Sequence, residues 1–218
     1  MPSAPMISTM RIKKIASKPD GVGRYRVEFE DGSVMRLYRQ TMEDHCLYVG
    51  QELTEQELDT LRGDAGRTSA KMRAVRILTA SDVSRDDLRQ RLIQKGESKE
   101  DAAAAVDWME DLQLLDDGRT AAMIVSRCAA KGYGVARAKQ ALYEKRIPKE
   151  YWEEALADYP DQAESIVAFL QSRIKNPADE REKKRAVDAL LRRGHSYGQI
   201  RSAMGQLDFD DFQEEWNG

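Results

Sequence analysis

The chain has little of what staples a small domain or carries it into a membrane. Two cysteines in 218 residues, Cys46 and Cys128, cannot build a disulfide framework or a four-ligand zinc site, and they suit a reducing cytoplasm. No stretch approaches 18 apolar residues, which excludes a transmembrane helix. The segment 1–10 lacks a basic region ahead of an apolar run, so no secretory signal is expected. Histidine is nearly absent, with His45 and His195 alone, and aromatic residues make up 7%. Neither sign of charge prevails: 35 Lys and Arg stand against 38 Asp and Glu, a net of −3. That balance argues against a protein held on DNA by bulk charge alone.

What is present is charge in quantity, 33% of residues beside 41% hydrophobic ones, with a mean hydropathy of −0.68. A chain of this length holds one or two domains and a sizeable core. The charge is also segregated. Residues 118–159 carry eight basic and five acidic side chains, and residues 173–201 carry nine and four. Asp208, Asp210, Asp211, Glu214 and Glu215 then crowd the end. Such segregation fits an electrostatic binding face, and it also fits helices with ordinary wet sides.

The segment 1–62 reads as a small β-rich region. Ile12, Ile15 and the alternating Tyr25–Phe29 run predict strands, with a third over 33–37. Asp31-Gly32 between alternating runs predicts a tight hairpin in which both residues take φ > 0. Thr54-Glu55-Gln56-Glu57 has the form of a capping box and predicts a short helix carrying Leu58 and Leu61.

From about residue 64 the pattern is helical and repeats. Ala74, Leu78, Ser84, Leu88 and Leu92 correspond, slot for slot, to Ile124, Cys128, Gly134, Ala138 and Leu142. The same five slots recur at Ala186, Leu190, Ser196, Ile200 and Met204. Ser84, Ser98 and Ser196 each precede an acid or amide by three positions, the spacing of an N-terminal cap. The resulting organisation is three tandem three-helix repeats over 63–115, 116–160 and 161–218, the last with an acidic tail. Whether the helix at 161–174 closes the second repeat or opens the third is left open by the pattern. The fold class expected is mainly α, an elongated curved body of stacked repeats behind a small hairpin or three-stranded region.

Catalytic chemistry finds no constellation. His45 and Cys46 are sequence neighbours and do not face each other. Gly21-Val22-Gly23 and Gly132-Tyr133-Gly134 lack the rest of a phosphate-loop fingerprint. Asp208, Asp210 and Asp211 lack the glycine and terminal glutamate of a cation loop. No enzyme activity, cofactor or metal is expected. Trp108, Tyr143, Tyr151, Trp152 and Tyr159 fall at helical spacings that suit inter-helix core, whereas Tyr133 and Tyr197, beside Lys131 and Arg193, are candidates for exposed contacts. The basic candidates for partner binding are Lys131, Arg137, Lys139, Lys145, Arg146 and Lys149 in the middle repeat and Arg192 and Arg193 in the last. The run Arg181, Lys183, Lys184 and Arg185, interleaved with acids, reads as a solvated face.

These residues together resemble the RecX family of bacterial recombination regulators. The likeness rests on Arg192-Arg193-Gly194-His195-Ser196-Tyr197 followed by Ile200, on Tyr48-Val49-Gly50-Gln51-Glu52-Leu53-Thr54, and on Lys131-Gly132 before Ala136-Arg137 and Leu142. It spans roughly residues 11–206. His195 stands where the family carries an aromatic residue, and the last unit stops early in its acidic tail. The cytoplasm is expected from the cysteines, and a monomer is expected; the resemblance implies a non-enzymatic protein. It would lie along a RecA filament on single- or double-stranded DNA and restrain ATP hydrolysis and strand exchange. A direct nucleic-acid binder and a helical adaptor for another protein are the alternatives.

Overall fold

The computed structural model describes residues 9–207; the acidic tail and its Asp208, Asp210 and Asp211 lie outside the described residues. Contacts divide the chain into two compact units, one of residues 1–82 with 88–115 and one of residues 83–87 with 116–218.

The first unit opens on an antiparallel sheet of β1 (Thr9–Ile15), β2 (Arg24–Phe29), β3 (Val34–Tyr38) and β4 (Glu52–Thr54), in the order β3-β2-β1-β4. So short a strand shows no alternation, and β4 escapes a pattern search. It forms because Leu53 faces Met10 and its backbone covers the free edge of β1. The hairpin turn also differs from expectation. Gly32 has φ 84, but Asp31 is not in the left-handed region. Phe29 N–H donates to Ser33 O at 3.0 Å and Gly32 N–H to Phe29 O at 3.1 Å, while the Asp31 carboxylate accepts from Ser33. This longer loop needs one left-handed residue, and glycine supplies it.

After α1 (Arg39–Asp44), a single helix α2 (Glu55–Ala80) replaces the two expected. Its capping box is present: Glu57 N–H donates to Thr54 Oγ1, and Thr54 N–H donates to the Glu57 carboxylate at 2.8 Å. Gly63 and Gly66 do not interrupt it. A Cβ at Gly66 would stand 2.6 Å from an Asp101 carboxylate oxygen, so the missing side chain serves the approach of α4 (Lys99–Asp111). Leu58 and Leu61 complete a core with Ile12, Val27, Phe29, Leu37 and Leu53. Further along, α2 buries Ala70 and Ala74 and packs on α4, which buries Ala102 and Ala105; small residues permit that closeness. Between them in the chain runs α3 (Arg85–Gln94), whose Leu88 and Leu92 are fully buried.

The second unit holds two helical cores. Helices α5 (Asp117–Ala130), α6 (Val135–Glu144) and α7 (Trp152–Leu156), the last entered through a 3-10 turn at Lys149–Tyr151, surround Ile124, Val125, Cys128, Ala138, Leu142 and Ile147. Helices α8 (Ala163–Arg173), α9 (Glu180–Arg192) and α10 (Tyr197–Gln206) share Ile166, Leu170, Ile174, Val187, Leu190, Ile200 and Met204. The helix at 161–174 thus packs with the third set. The fold class is mainly α behind a small antiparallel sheet. Of the fifteen repeat positions, only Leu78 is half-buried and Ser196 exposed, and the rest are buried.

Candidate partner interface

The turns that end α5 and α9 bring the middle and last helical sets of the second unit together. In each, a glycine with positive φ, Gly132 or Gly194, closes the helix. The next N–H returns to a carbonyl inside it, Tyr133 to Cys128 at 3.0 Å and His195 to Leu190 at 3.2 Å. This pair of bonds satisfies carbonyls that a helix end leaves orphaned. The two turns then meet backbone to backbone. Gly134 N–H donates to Arg193 O at 2.9 Å, and a Cβ on Gly134 would lie 2.0 Å from Gly194 O. His195 is 4% exposed and its Nε2 bonds to Gly132 O at 3.0 Å, so Nε2 carries the proton. Its Nδ1 is buried with no hydrogen-bond partner among the described residues. Burial holds the imidazole pKa below its ordinary value, which keeps the ring neutral.

Around this junction stand Lys131, Tyr133, Arg192, Arg193 and Tyr197. Lys131 and Arg192 are exposed, and Tyr197 begins α10 with its side chain exposed. Arg193 is half-buried, its guanidinium 4.7 Å from the Phe169 ring centre and 5.8 Å from that of Tyr133. The Tyr133 carbonyl accepts from the Tyr159 hydroxyl at 2.7 Å. Arg192 also lines a cavity of about 510 Å³ with Phe169, Arg173, Glu182 and Arg185.

The remaining candidates gather at the end of α6. Lys139 is exposed on its outer side, while Arg137 is turned to Glu144 at 3.1 Å. Lys145 and Arg146 form the turn that follows, and Lys149 opens the 3-10 turn. Ser84 Oγ donates to Lys145 O at 2.7 Å, and Arg146 reaches Asp86 at 3.4 Å; both tie residues 83–87, which belong to this same unit, to the corner. Arg146 has φ 54. A cavity of about 510 Å³ is lined here by Tyr143, Arg146, Ile147, Pro148, Lys149 and Trp152. Among the described residues Lys131, Lys139, Lys145 and Lys149 have no carboxylate partner.

Two readings of the sequence need correction at this surface. Tyr143, assigned to core by its spacing, is 73% exposed. The alanines and Leu142 fill the buried side of α6, and position 143 falls away from them. Lys183, assigned to a solvated run, is 3% exposed, with its ammonium 2.8 Å from the Glu180 carboxylate. Its neighbours Ala186 and Val187 are buried, so the apolar stripe of α9 carries the lysine stem inward. Tyr143 was recoverable from a helical wheel of α6.

Residues 116–156 match the family described as RecX, second three-helix domain. A regulatory protein RecX of Vibrio parahaemolyticus is 32% identical over 145 residues, covering 65% of this chain and 94% of that relative. The chain belongs to the RecX family. The regulatory protein RecX of Xanthomonas axonopodis pv. citri is 31% identical over 163 residues, 73% of this chain and the whole of the relative. Two solved structures share the fold. A regulatory protein RecX superposes with a TM-score of 0.60 at 20% identity, over 88% of this chain and 99% of that one. RecX from Lactobacillus salivarius gives 0.58 at 21%, over 66% and 97%. The relatives named are regulatory proteins, and the chain shares the fold of the two solved RecX structures. Among the described residues no three His, Cys, Asp or Glu side chains are grouped to hold a metal ion, and no helix is long and apolar enough to cross a membrane.

Proposed function

We propose that this RecX-family chain binds the RecA filament on DNA and restrains its ATP hydrolysis and strand exchange. The carrying observation is the extent of the family match: relatives named as regulatory proteins are covered over 94–100% of their length. The basic residues of the second unit support it. Arg146 and Lys149 line a cavity with the exposed Tyr143 and with Trp152, and Lys139 and Lys145 lie near them in the chain, a combination of cations and aromatics that suits a protein interface. Lys131, Tyr133, Arg192 and Tyr197 form a further set at the junction of turns. A filament offers the same surface at every protomer, so several modest contacts add through effective concentration.

The test is RecA ATPase and strand exchange on single-stranded DNA with added protein. Reversing Lys139, Lys145 and Lys149 together should weaken inhibition about tenfold or more, a loss of over about 1.4 kcal/mol. Reversing exposed Arg181 should leave it intact. Equal effects would remove the special role of the α6 corner, and no inhibition by the wild-type chain would remove the proposal.

A further inference from the structure

The sheet of the first unit presents a second charged surface. Along its strands Ile12, Val27, Phe29 and Leu37 face the core, so the alternate positions face away. Those positions carry Arg11 and Lys14 on β1, Arg24, Arg26 and Glu28 on β2, and Arg36 on β3. The pairing shifts between Ile12 and Lys14, and Lys13 joins the same side, its ammonium 3.6 Å from Glu28. Arg26 is paired directly with Arg36. Their Cβ atoms start about 5 Å apart, an arrangement in which like charges destabilise a sheet.

The acids on this face are fewer than the cations: besides Glu28, Glu30 and Asp20 there is Glu52 of β4, directly opposite Arg11. Glu28 is shared, at 3.6 Å from Lys13 and 3.5 Å from Arg26. Glu30 reaches Arg11 at 3.9 Å, and Asp20 holds Arg24 at 2.9 Å. Among the described residues Lys14 and Arg36 have no carboxylate partner. Protection of a sheet edge explains a charge on β3, and charges on the internal strands β1 and β2 suit any solvated sheet face; what sets this face apart is the excess of cations and the direct pairing of Arg26 with Arg36.

We infer that this face binds the phosphodiester backbone of duplex nucleic acid. Backbone contacts need cations on an open surface and no pocket, and this face has that character. An acidic protein partner would need a central apolar or aromatic anchor, and a single strand would need rings on which bases stack. At the outward positions of β1, β2 and β3 the only exposed large apolar side chain beside the charges is Val34; Tyr38, opposite Arg24, is 7% exposed and its hydroxyl accepts from Arg76 at 3.1 Å, so its ring is not open to a base or a partner. The inference stands apart from the regulatory proposal, since it is read without RecA and on the other unit.

The test is fluorescence anisotropy of a labelled 20-base-pair duplex with the full chain across 50–200 mM salt. Arg26→Gln with Arg36→Gln should lower the salt slope by about two and weaken binding by roughly eightfold per lost contact at 0.1 M. Arg36→Gln alone should raise the thermal midpoint while weakening binding, because it removes the opposed charges. That opposite movement separates a binding role from misfolding. Unchanged duplex affinity in the double variant would overturn the inference. So would displacement of the duplex by polyglutamate at equal charge, which would assign the face to an acidic protein, or equally tight binding of an oligothymidine lacking the duplex form.

Discussion

Arg146 occupies a turn position that glycine fills elsewhere in the chain: Gly96, Gly132 and Gly194 close α3, α5 and α9 with positive φ, and Arg146 closes α6 with φ 54. A side chain in that region costs about 1 kcal/mol through its Cβ contacts. The strain is offset in part by the contact with Asp86 at 3.4 Å, and it holds the guanidinium at the mouth of the α6 corner. Arg146→Gly should therefore raise the midpoint of urea unfolding while weakening inhibition of RecA. Gln113→Gly, at the equivalent position after α4 with φ 56, should stabilise the chain and leave inhibition unchanged. A loss of stability in Arg146→Gly would show that the ion pair outweighs the backbone strain.

His195 carries a pH dependence of defined sign. Its folded-state pKa is depressed, chiefly by burial, so the unfolded chain takes up a proton first as pH falls. Stability is full above the ordinary histidine value and is lost as pH drops through the folded value. Thermal midpoints should fall between pH 7 and pH 5, and His195→Gln, which keeps an N–H for Gly132 O, should flatten that slope. Asp64 does not confuse the window. His45, followed by Arg67, lowers its pKa, so its contribution is lost only at more acidic pH. An unchanged slope in His195→Gln would place the titrating group elsewhere.

At the scale of elements, the two turns of the second unit meet backbone to backbone. Gly134→Ala puts a methyl 2.0 Å from the Gly194 carbonyl oxygen, and the obstacle is backbone, which cannot swing aside. A destabilisation of order ~3 kcal/mol is expected by urea unfolding, against little change for Gly198→Ala, where nothing lies within 4 Å. The correspondence of Gly134 with Ser196, and of Leu142 with Met204, was legible in the sequence because helix starts and buried stripes leave periodic marks. The contact between the two turns left none, since positions far apart in the chain meet there through backbone atoms. The continuity of α2 was hidden by Gly63 and Gly66, which usually signal a break; here Gly66 makes room for Asp101 of α4. Lys183 misled for a related reason: its charge is read from the sequence, but its burial follows from the face of α9 it shares with Ala186 and Val187.

For the whole molecule, family and fold class were legible because a small sheet followed by repeated capped helices is a long-range pattern that survives wide divergence in sequence. The interface was less legible. Charge counts drew attention to residues 118–159 and 173–201, yet they averaged the segment 1–70 to near neutrality and so passed over the outward side of the sheet. Cations there alternate with core residues, and acids of the turns and helices cancel them in the sum. A balanced net charge of −3 is compatible with two separate basic surfaces once each is placed on its own element.

The most direct measurement is RecA ATPase on single-stranded DNA, titrated with the full chain at fixed RecA. Hydrolysis should fall and saturate below equimolar protein, because an inhibitor seated along a filament acts on several protomers, and the titration should shift to the right for the reversed Lys139, Lys145 and Lys149 variant. Hydrolysis unchanged at saturating protein would contradict the proposed function.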